Sequence, residues 1–366
     1  MAGLDIAFYG SSLVSAYWNG AATYYRGIIR ALAARGHRVT FYEPDAYERQ
    51  KHRDIADPPW AKVVVYPATQ DGLHHALEAG RGADVVVKAS GVGVFDDELA
   101  EGVLSIRRPG GLAIYWDVDA PATLADLHAD PAAVLHRLVP QYDMVLTYGG
   151  GPPVVNAFAA LGARKCVPVY NALDPETHHP VPRDERFDAD LTFLGNRLPD
   201  REARVEQFFL DAAARLPDRH FLLAGNGWHD KPVPANVRVL GHVYTADHNA
   251  LNGSGLAVLN ISRQSMAEMG YSPATRVFEA AGAAACLITD AWVGIEEFLE
   301  PGTEVLVARD GAEVAEHVAS LTRERARAIG QAALRRVLAD HTYDNRAVLV
   351  ERLLTGQVLN SVGEGV

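Results

Sequence analysis

Tyr271-Ser-Pro-Ala-Thr-Arg-Val-Phe-Glu-Ala-Ala-Gly282 runs almost directly into the apolar Cys286-Leu-Ile-Thr-Asp290, the pattern of a short helix feeding a buried strand. Ser272 suits a helix N-cap, Pro273 the first helical position and Gly282 the approach to the end. A helix that starts there turns its unpaired N–H groups outward, and such a terminus attracts phosphate. Thr275 and Arg276 fall in the first turn, with Glu279 on the same face one turn deeper. A diphosphate at the tip leaves a nearby sugar hydroxyl within reach of Glu279, which is the footprint of a nucleoside diphosphate. The plainer alternative is an amphipathic helix whose polar groups are simply solvated.

Working outward, short apolar runs alternate with helical segments along the chain. The first series is Leu4 to Tyr9, Val39 to Tyr42, Val63 to Tyr66, Val85 to Val87, Leu112 to Trp116 and Met144 to Thr147. Near Tyr170 to Pro180 the periodicity stops among prolines and polar residues, as in an interdomain connection. It restarts with Leu191 to Leu194, Phe221 to Ala224, Val237 to Leu240, Leu256 to Asn260, Ala285 to Thr289 and Val305 to Val307. Buried runs separated by helices predict parallel sheets covered on both faces. The expected fold is α/β, with two doubly wound Rossmann-like domains, 1–171 and 172–342, facing each other across a cleft. A final amphipathic helix, about 343–354, is expected to return to the first domain, and 355–366 to fray.

Composition narrows the chemistry. The chain has 366 residues, 48% of them hydrophobic, and 34 basic side chains against 46 acidic ones give a formal net charge of -12. That balance disfavours nucleic acid and anionic membranes as partners. Two cysteines, Cys166 and Cys286, offer neither a disulfide framework nor a cysteine metal site. The chain opens directly on a strand-like run, so no stable membrane insertion and a cytoplasmic location are expected.

Ligands of open parallel sheets bind beyond the carboxyl ends of the strands, which directs attention to the loops there. Gly195-Asn-Arg-Leu-Pro-Asp-Arg201 offers Arg197 and Arg201 for charge-assisted bonds to a diphosphate, or else two exposed arginines beside a helix start. Gly225-Asn-Gly227 is small enough for a base or phosphate to approach its backbone. In the first half, Gly10-Ser11 opens a long loop and Asn19-Gly20 precedes a helix. No compact Gly-x-Gly-x-x-Gly is present, which excludes the dinucleotide fingerprint; the loop is expected to shape a substrate cleft. Asp117 and Asp119 lie just beyond a strand and are the acid or hydrogen-bond candidates of this half. Lys88 and Ser90 are candidates for the same cleft, although a solvated loop is the stronger alternative for Lys88. The fourteen histidines show no metal-spaced cluster, His178-His179 is expected to be exposed, and no metal is assigned. His242 follows a strand and is a further candidate for the cleft. Gly149-Gly-Gly-Pro-Pro153 lacks the P-loop ending, and no Gly-x-Ser-x-Gly elbow is present.

These segments resemble the two-domain GT-B glycosyltransferases, in particular the group 1 family and its spore-maturation, CgeB-like branch. Asn19-Gly20 before a helix ending Arg35-Gly-His-Arg-Val-Thr40 is similar to the family's opening, and Gly195-Asn-Arg197 with Arg201 to its basic phosphate grip. Phe278-Glu-Ala-Ala-Gly-Ala283, Ile288-Thr-Asp290 and Gly294-Ile-Glu296 are similar to its nucleotide-binding helix, strand and loop. Ser272-Pro273, Arg276 and the Asp117, Asp119, Pro121 cluster carry the resemblance to the branch. It implies Glu279 on the ribose, and Gly195, Asn196, Arg197, Arg201, Asn226, Gly227, Ser272, Thr275 and Arg276 around the rest of a UDP-type donor. Where the family often has another glutamate eight positions earlier stands Tyr271, so no sugar-recognising role carries over. The implied activity is retaining, metal-independent transfer of a sugar, with Asp119, Asp117, Arg197 and Arg276 as catalytic residues. The acceptor, a sugar, small molecule or protein, would meet Gly10, Ser11, Asn19, Gly20, Lys88 and Ser90. The alternative is a noncatalytic nucleotide-sugar or glycan-binding protein on the same scaffold.

Overall fold

The computed structural model describes residues 3–17 and 19–356. Two compact units divide them: Met1–Tyr170 together with Tyr343–Val366, and Asn171–Thr342. Each is built on its own all-parallel sheet.

The first unit holds seven strands, β1 (Asp5–Tyr9), β2 (Arg38–Asp45), β3 (Lys62–Pro67), β4 (Val85–Ala89), β5 (Leu112–Asp117), β6 (Met144–Thr147) and β7 (Cys166–Pro168), in the order β3-β2-β1-β4-β5-β6-β7. Central strands are buried throughout: Val85 to Ala89 are all inaccessible, because helices cover both faces of a parallel sheet. Two positions differ from the sequence reading. The edge strand β7 is only half-buried, so its apolar signal is weak. Asp117 is the last residue of β5, fully buried, not part of the loop beyond it. The helix Ala22–Ala34 packs its apolar stripe on the sheet, and Tyr24 Oη donates to the Val169 carbonyl while accepting from Trp116 Nε1. The helix Tyr343–Leu354 belongs to this unit. A Cβ at Gly27 would lie 2.3 Å from the Tyr343 ring, so only glycine admits that close approach.

The second unit holds β8 (Leu191–Leu194), β9 (Phe221–Ala224), β10 (Val237–Gly241), β11 (Ala257–Asn260), β12 (Leu287–Asp290) and β13 (Leu306–Ala308), ordered β10-β9-β8-β11-β12-β13. Its core gathers Phe193, Phe209, Phe221, Trp228 and Ile288, all with little or no exposure. Burying one such aromatic contributes about 3 kcal/mol or more. The unit begins and ends at one place, where Leu173 bridges Thr342 and its N–H donates to the His341 carbonyl. Among the described residues no helix is long and apolar enough to cross a membrane. Of the expected frayed tail, residues 357–366 lie outside the described residues.

Candidate functional site

In the second unit the loops after β8 and β9 lie against each other. The Gly195 N–H donates to the Ala224 carbonyl, Arg197 N–H to the Asn226 carbonyl, and Asn226 N–H to Asn196 Oδ1. Gly225, at φ 121°, is required: a Cβ there would sit 2.2 Å from the Gly195 oxygen. Arg201 folds back so that its Nη1 is 3.0 Å from where a Gly195 Cβ would be. Arg197 turns away toward carboxylates, at 2.8 Å from Glu202 and 3.0 Å from Asp230. Arg197 and Lys231 together hold the Glu202 carboxyl down at about 2.

The helix expected at Ser272 starts later, spanning Thr275–Gly282 with Ala274 as its cap residue. The correction has a backbone cause: Tyr271 takes the left-handed region at φ 47°, and Pro273 keeps Ser272 out of the α region. Ser272 therefore caps nothing, and its buried Oγ has no hydrogen-bond partner. Thr275 and Arg276 open the helix. Arg276 Nη1 donates to Asn252 Oδ1 at 3.2 Å, its Nη2 reaches the Leu194 carbonyl at 3.5 Å, and Nη1 stands 3.8 Å from Glu279 Oε2. The guanidinium thus joins the helix to the end of β8, immediately before Gly195. Asn226 and Gly227 are exposed at the neighbouring loop. A separate cavity of about 280 Å³, lined by Arg183, Leu256, Cys286 and Arg323, lies at the amino ends of β11 and β12, away from the side where parallel sheets bind ligands.

One histidine expectation is overturned. His178 is 6% exposed, because the loop carrying it packs on the Thr275 helix where Gly282 leaves room: a Cβ there would be 3.0 Å from the His178 oxygen. His178, His248 and Glu279 also form a cluster, one ligating atom from each lying within 4.8 Å of the others. Burial lowers the pKa of both imidazoles. His242 is exposed against the ring of Tyr244.

In the first unit, Asp117 Oδ1 accepts from Ser90 Oγ at 2.8 Å, Asp119 N–H at 3.0 Å and Thr123 Oγ1 at 3.1 Å. Its Oδ2 has no partner, and burial pushes the carboxyl up. Asp119 is exposed at the start of the helix Ala120–Ala129. Lys88 lies inside β4 rather than in a solvated loop, 3% exposed and 2.6 Å from Asp96. A cavity of about 440 Å³ is lined by Lys88, Ser90, Tyr115, Asp119 and Thr123. Asn19 and Ser11 are spent on the loop itself: Ser11 Oγ donates to Asn19 Oδ1, and Asn19 Nδ2 to the carbonyls of Ser12 and Ser15. Gly10 packs on the Phe41 ring, and Gly20 is exposed.

Residues 201–352 match a family model described as glycosyl transferase-like. Solved structures with the same fold include Anabaena HepE in complex with UDP and glucose, 15% identical, TM-score 0.67, covering 96% of this chain and 100% of that one. Sucrose-phosphate synthase from Thermosynechococcus elongatus is similar at 14% identity and TM-score 0.67, covering 96% and 98%. An alpha-glucosyltransferase in complex with UDP-glucose and abasic-site DNA reaches TM-score 0.71 at 11% identity, covering 97% and 100%. No curated protein sequence matches the chain. The chain has the GT-B fold.

Sequence reasoning missed three residues of this GT-B fold that hold the candidate site's framework. Glu43, fully buried, accepts from Ser12 Oγ and the Leu13 N–H and so pins the loop after β1. Arg204 reaches Asp290 at 2.5 Å and the Ser262 carbonyl at 3.0 Å, tying the helix after the Arg197 loop to the ends of β11 and β12. Charged residues far apart in sequence carry no periodic signal. Asn252 gave none either, although it orients Arg276.

Proposed function

We propose that this GT-B enzyme moves a sugar from a nucleoside diphosphate donor of the UDP type to an acceptor hydroxyl, with retention and without metal in the chemical step. The reading rests chiefly on Arg276, whose guanidinium lies between Glu279 and the end of β8. A diphosphate placed there meets Arg276, the first-turn N–H groups and the Gly195 to Arg201 loop, while the ribose falls to Glu279 one turn along. HepE holding UDP and glucose on the same fold agrees with this. Negative charge grows on the diphosphate as the glycosidic bond breaks, and preorganised donors stabilise it more than they stabilise the ground state. Arg276 and Arg201 supply that potential; Arg197 joins them by exchanging Glu202 and Asp230 for phosphate.

The acceptor belongs to the first unit. Asp119, at the rim of the cavity lined by Lys88, Ser90 and Thr123, orients its hydroxyl. Asp117, buried beneath, holds Ser90, Thr123 and the Asp119 backbone in place. The Ser272-Pro273, Arg276 and Asp117, Asp119, Pro121 motifs favour the CgeB-like branch, and the acidic surface and two free thiols favour a cytoplasmic enzyme. The test is incubation with a panel of nucleotide sugars, with released nucleoside diphosphate read by mass spectrometry. Slow hydrolysis of one donor is the expected result; tight binding with no turnover of any donor sinks the enzymatic reading in favour of a binding protein.

A further inference from the structure

We propose that His178, His248 and Glu279 form a zinc(II) site, and that zinc held there competes with the nucleotide for Glu279. The site itself stands on geometry alone; the competition rests on the assignment of Glu279 to the ribose. Three separate elements bring the ligands together: the loop before β8, the helix His248–Ser254 and the helix Thr275–Gly282. His178 Nε2 is buried, has no hydrogen-bond partner, and faces Glu279 Oε1 at 4.0 Å. A buried nitrogen left unpartnered beside a carboxylate oxygen is a costly arrangement that a bound cation would relieve. The separation also fits. Tetrahedral zinc with bonds of about 2.0–2.1 Å holds neighbouring ligand atoms about 3.4 Å apart, so the His178–Glu279 pair, 4.0 Å apart, closes by about 0.6 Å and no pair, all within 4.8 Å, by more than about 1.4 Å, a movement within reach of side-chain rotation.

His248 carries the outer contact such a ligand needs. Its Nε2 lies 3.2 Å from the Val243 carbonyl, which can only accept; that nitrogen therefore bears the proton and the other ring nitrogen is left to coordinate. Two imidazoles and one carboxylate suit zinc, whereas magnesium and calcium prefer oxygen ligands. Three protein ligands leave a fourth position open. Arg276, 3.8 Å from Glu279 Oε2, sits on the far carboxylate oxygen and opposes a dication, so micromolar rather than tighter affinity is expected. Zinc and ribose would draw on the same carboxylate, which makes their binding mutually exclusive.

The experiment is calorimetry of zinc chloride and of UDP, separately and together, on the chelator-treated full chain and on His248→Ala, with His248→Gln as the alternative if alanine unfolds. One zinc per chain is expected for the unsubstituted protein, with affinity at least about 10-fold lower in the variant and cobalt(II) giving the absorption of a tetrahedral site only in the former. Zinc should raise the apparent Kd for UDP in the unsubstituted protein and leave it unchanged in the variant, whose metal-free UDP affinity should stay unchanged. Absence of zinc binding, or equal binding to both proteins, overturns the site while normal UDP binding keeps the proposed function. Zinc bound through His248 with UDP undisturbed overturns the competition, and with it the placement of ribose on Glu279.

Discussion

In the proposed function two carboxylates, Glu279 and Asp119, divide the donor and acceptor roles at the level of single side chains. Glu279→Gln preserves size and removes the charge that favours bidentate hydroxyl binding. Hydrogen bonds to a charged group contribute about 1.5–3 kcal/mol, so UDP affinity should fall roughly 10- to 100-fold with the fold intact; unchanged affinity by calorimetry would defeat the ribose assignment. Asp119→Asn should do the reverse, leaving UDP binding near that of the unsubstituted protein while transfer to acceptor collapses. Loss of UDP binding in that variant would show the division of labour to be wrong. Asp117 gives a pH signature instead. Its folded carboxyl titrates above the ordinary value because of burial, so the native state binds a proton that the unfolded chain has released, and stability declines as pH rises from about 4 through the folded pKa. Asp117→Asn mimics the protonated form. Its melting temperature relative to the unsubstituted protein should improve as pH rises above about 4, and parallel curves would refute the argument. The positions of Arg276 and Glu279 on a helix and of the Gly195 loop after a strand were legible because strand ends and helix starts announce themselves locally. His178 was misread, and the solvated alternative for Lys88 fails, because burial depends on what packs over a residue: Gly282 admits the His178 loop, and Asp96 closes on the lysine.

Among elements, strands were the easily read part, since a run such as Val85 to Val87 is apolar at every position only when both sheet faces are covered. β7 escaped notice as a three-residue edge ending in Pro168, where half-burial leaves little pattern. The start of the Thr275 helix was misplaced by two residues because Ser-Pro reads as a cap in isolation, while the left-handed Tyr271 redirects the chain before it. The turn at Gly225 makes a prediction at this scale. Gly225→Ala adds a Cβ 2.2 Å from the Gly195 oxygen in a backbone region that alanine resists. The β8 and β9 loops must then separate, and UDP affinity should drop at least about 10-fold with a lowered melting temperature, for a loss of 1–3 kcal/mol. A variant with unaltered affinity would show that these loops do not meet the nucleotide.

For the whole molecule, a nucleoside diphosphate should stabilise the chain in the presence of a chelator, because guanidinium groups and a helix terminus supply the positive potential. At about 100 times its Kd the linkage amounts to about 2.7 kcal/mol, readable as a thermal shift; a shift seen only with added divalent ion would contradict metal-independent binding. The two-unit plan was legible from the break near Tyr170, whereas the residues that close each unit on itself were not. The chain leaves the first unit at Tyr170 and re-enters it at Tyr343, and the returning helix fills the approach at Gly27. That route sets an order of assembly on the ribosome. The unit made first cannot finish folding until its last helix has emerged, so the helix Ala22–Ala34 waits with its Tyr343 contact unmade while the whole of Asn171–Thr342 is synthesised. The later unit, closed by its own Leu173–Thr342 bridge, is free to complete itself before the earlier one, and nascent chains stalled before Tyr343 should display an exposed apolar surface that chaperones recognise.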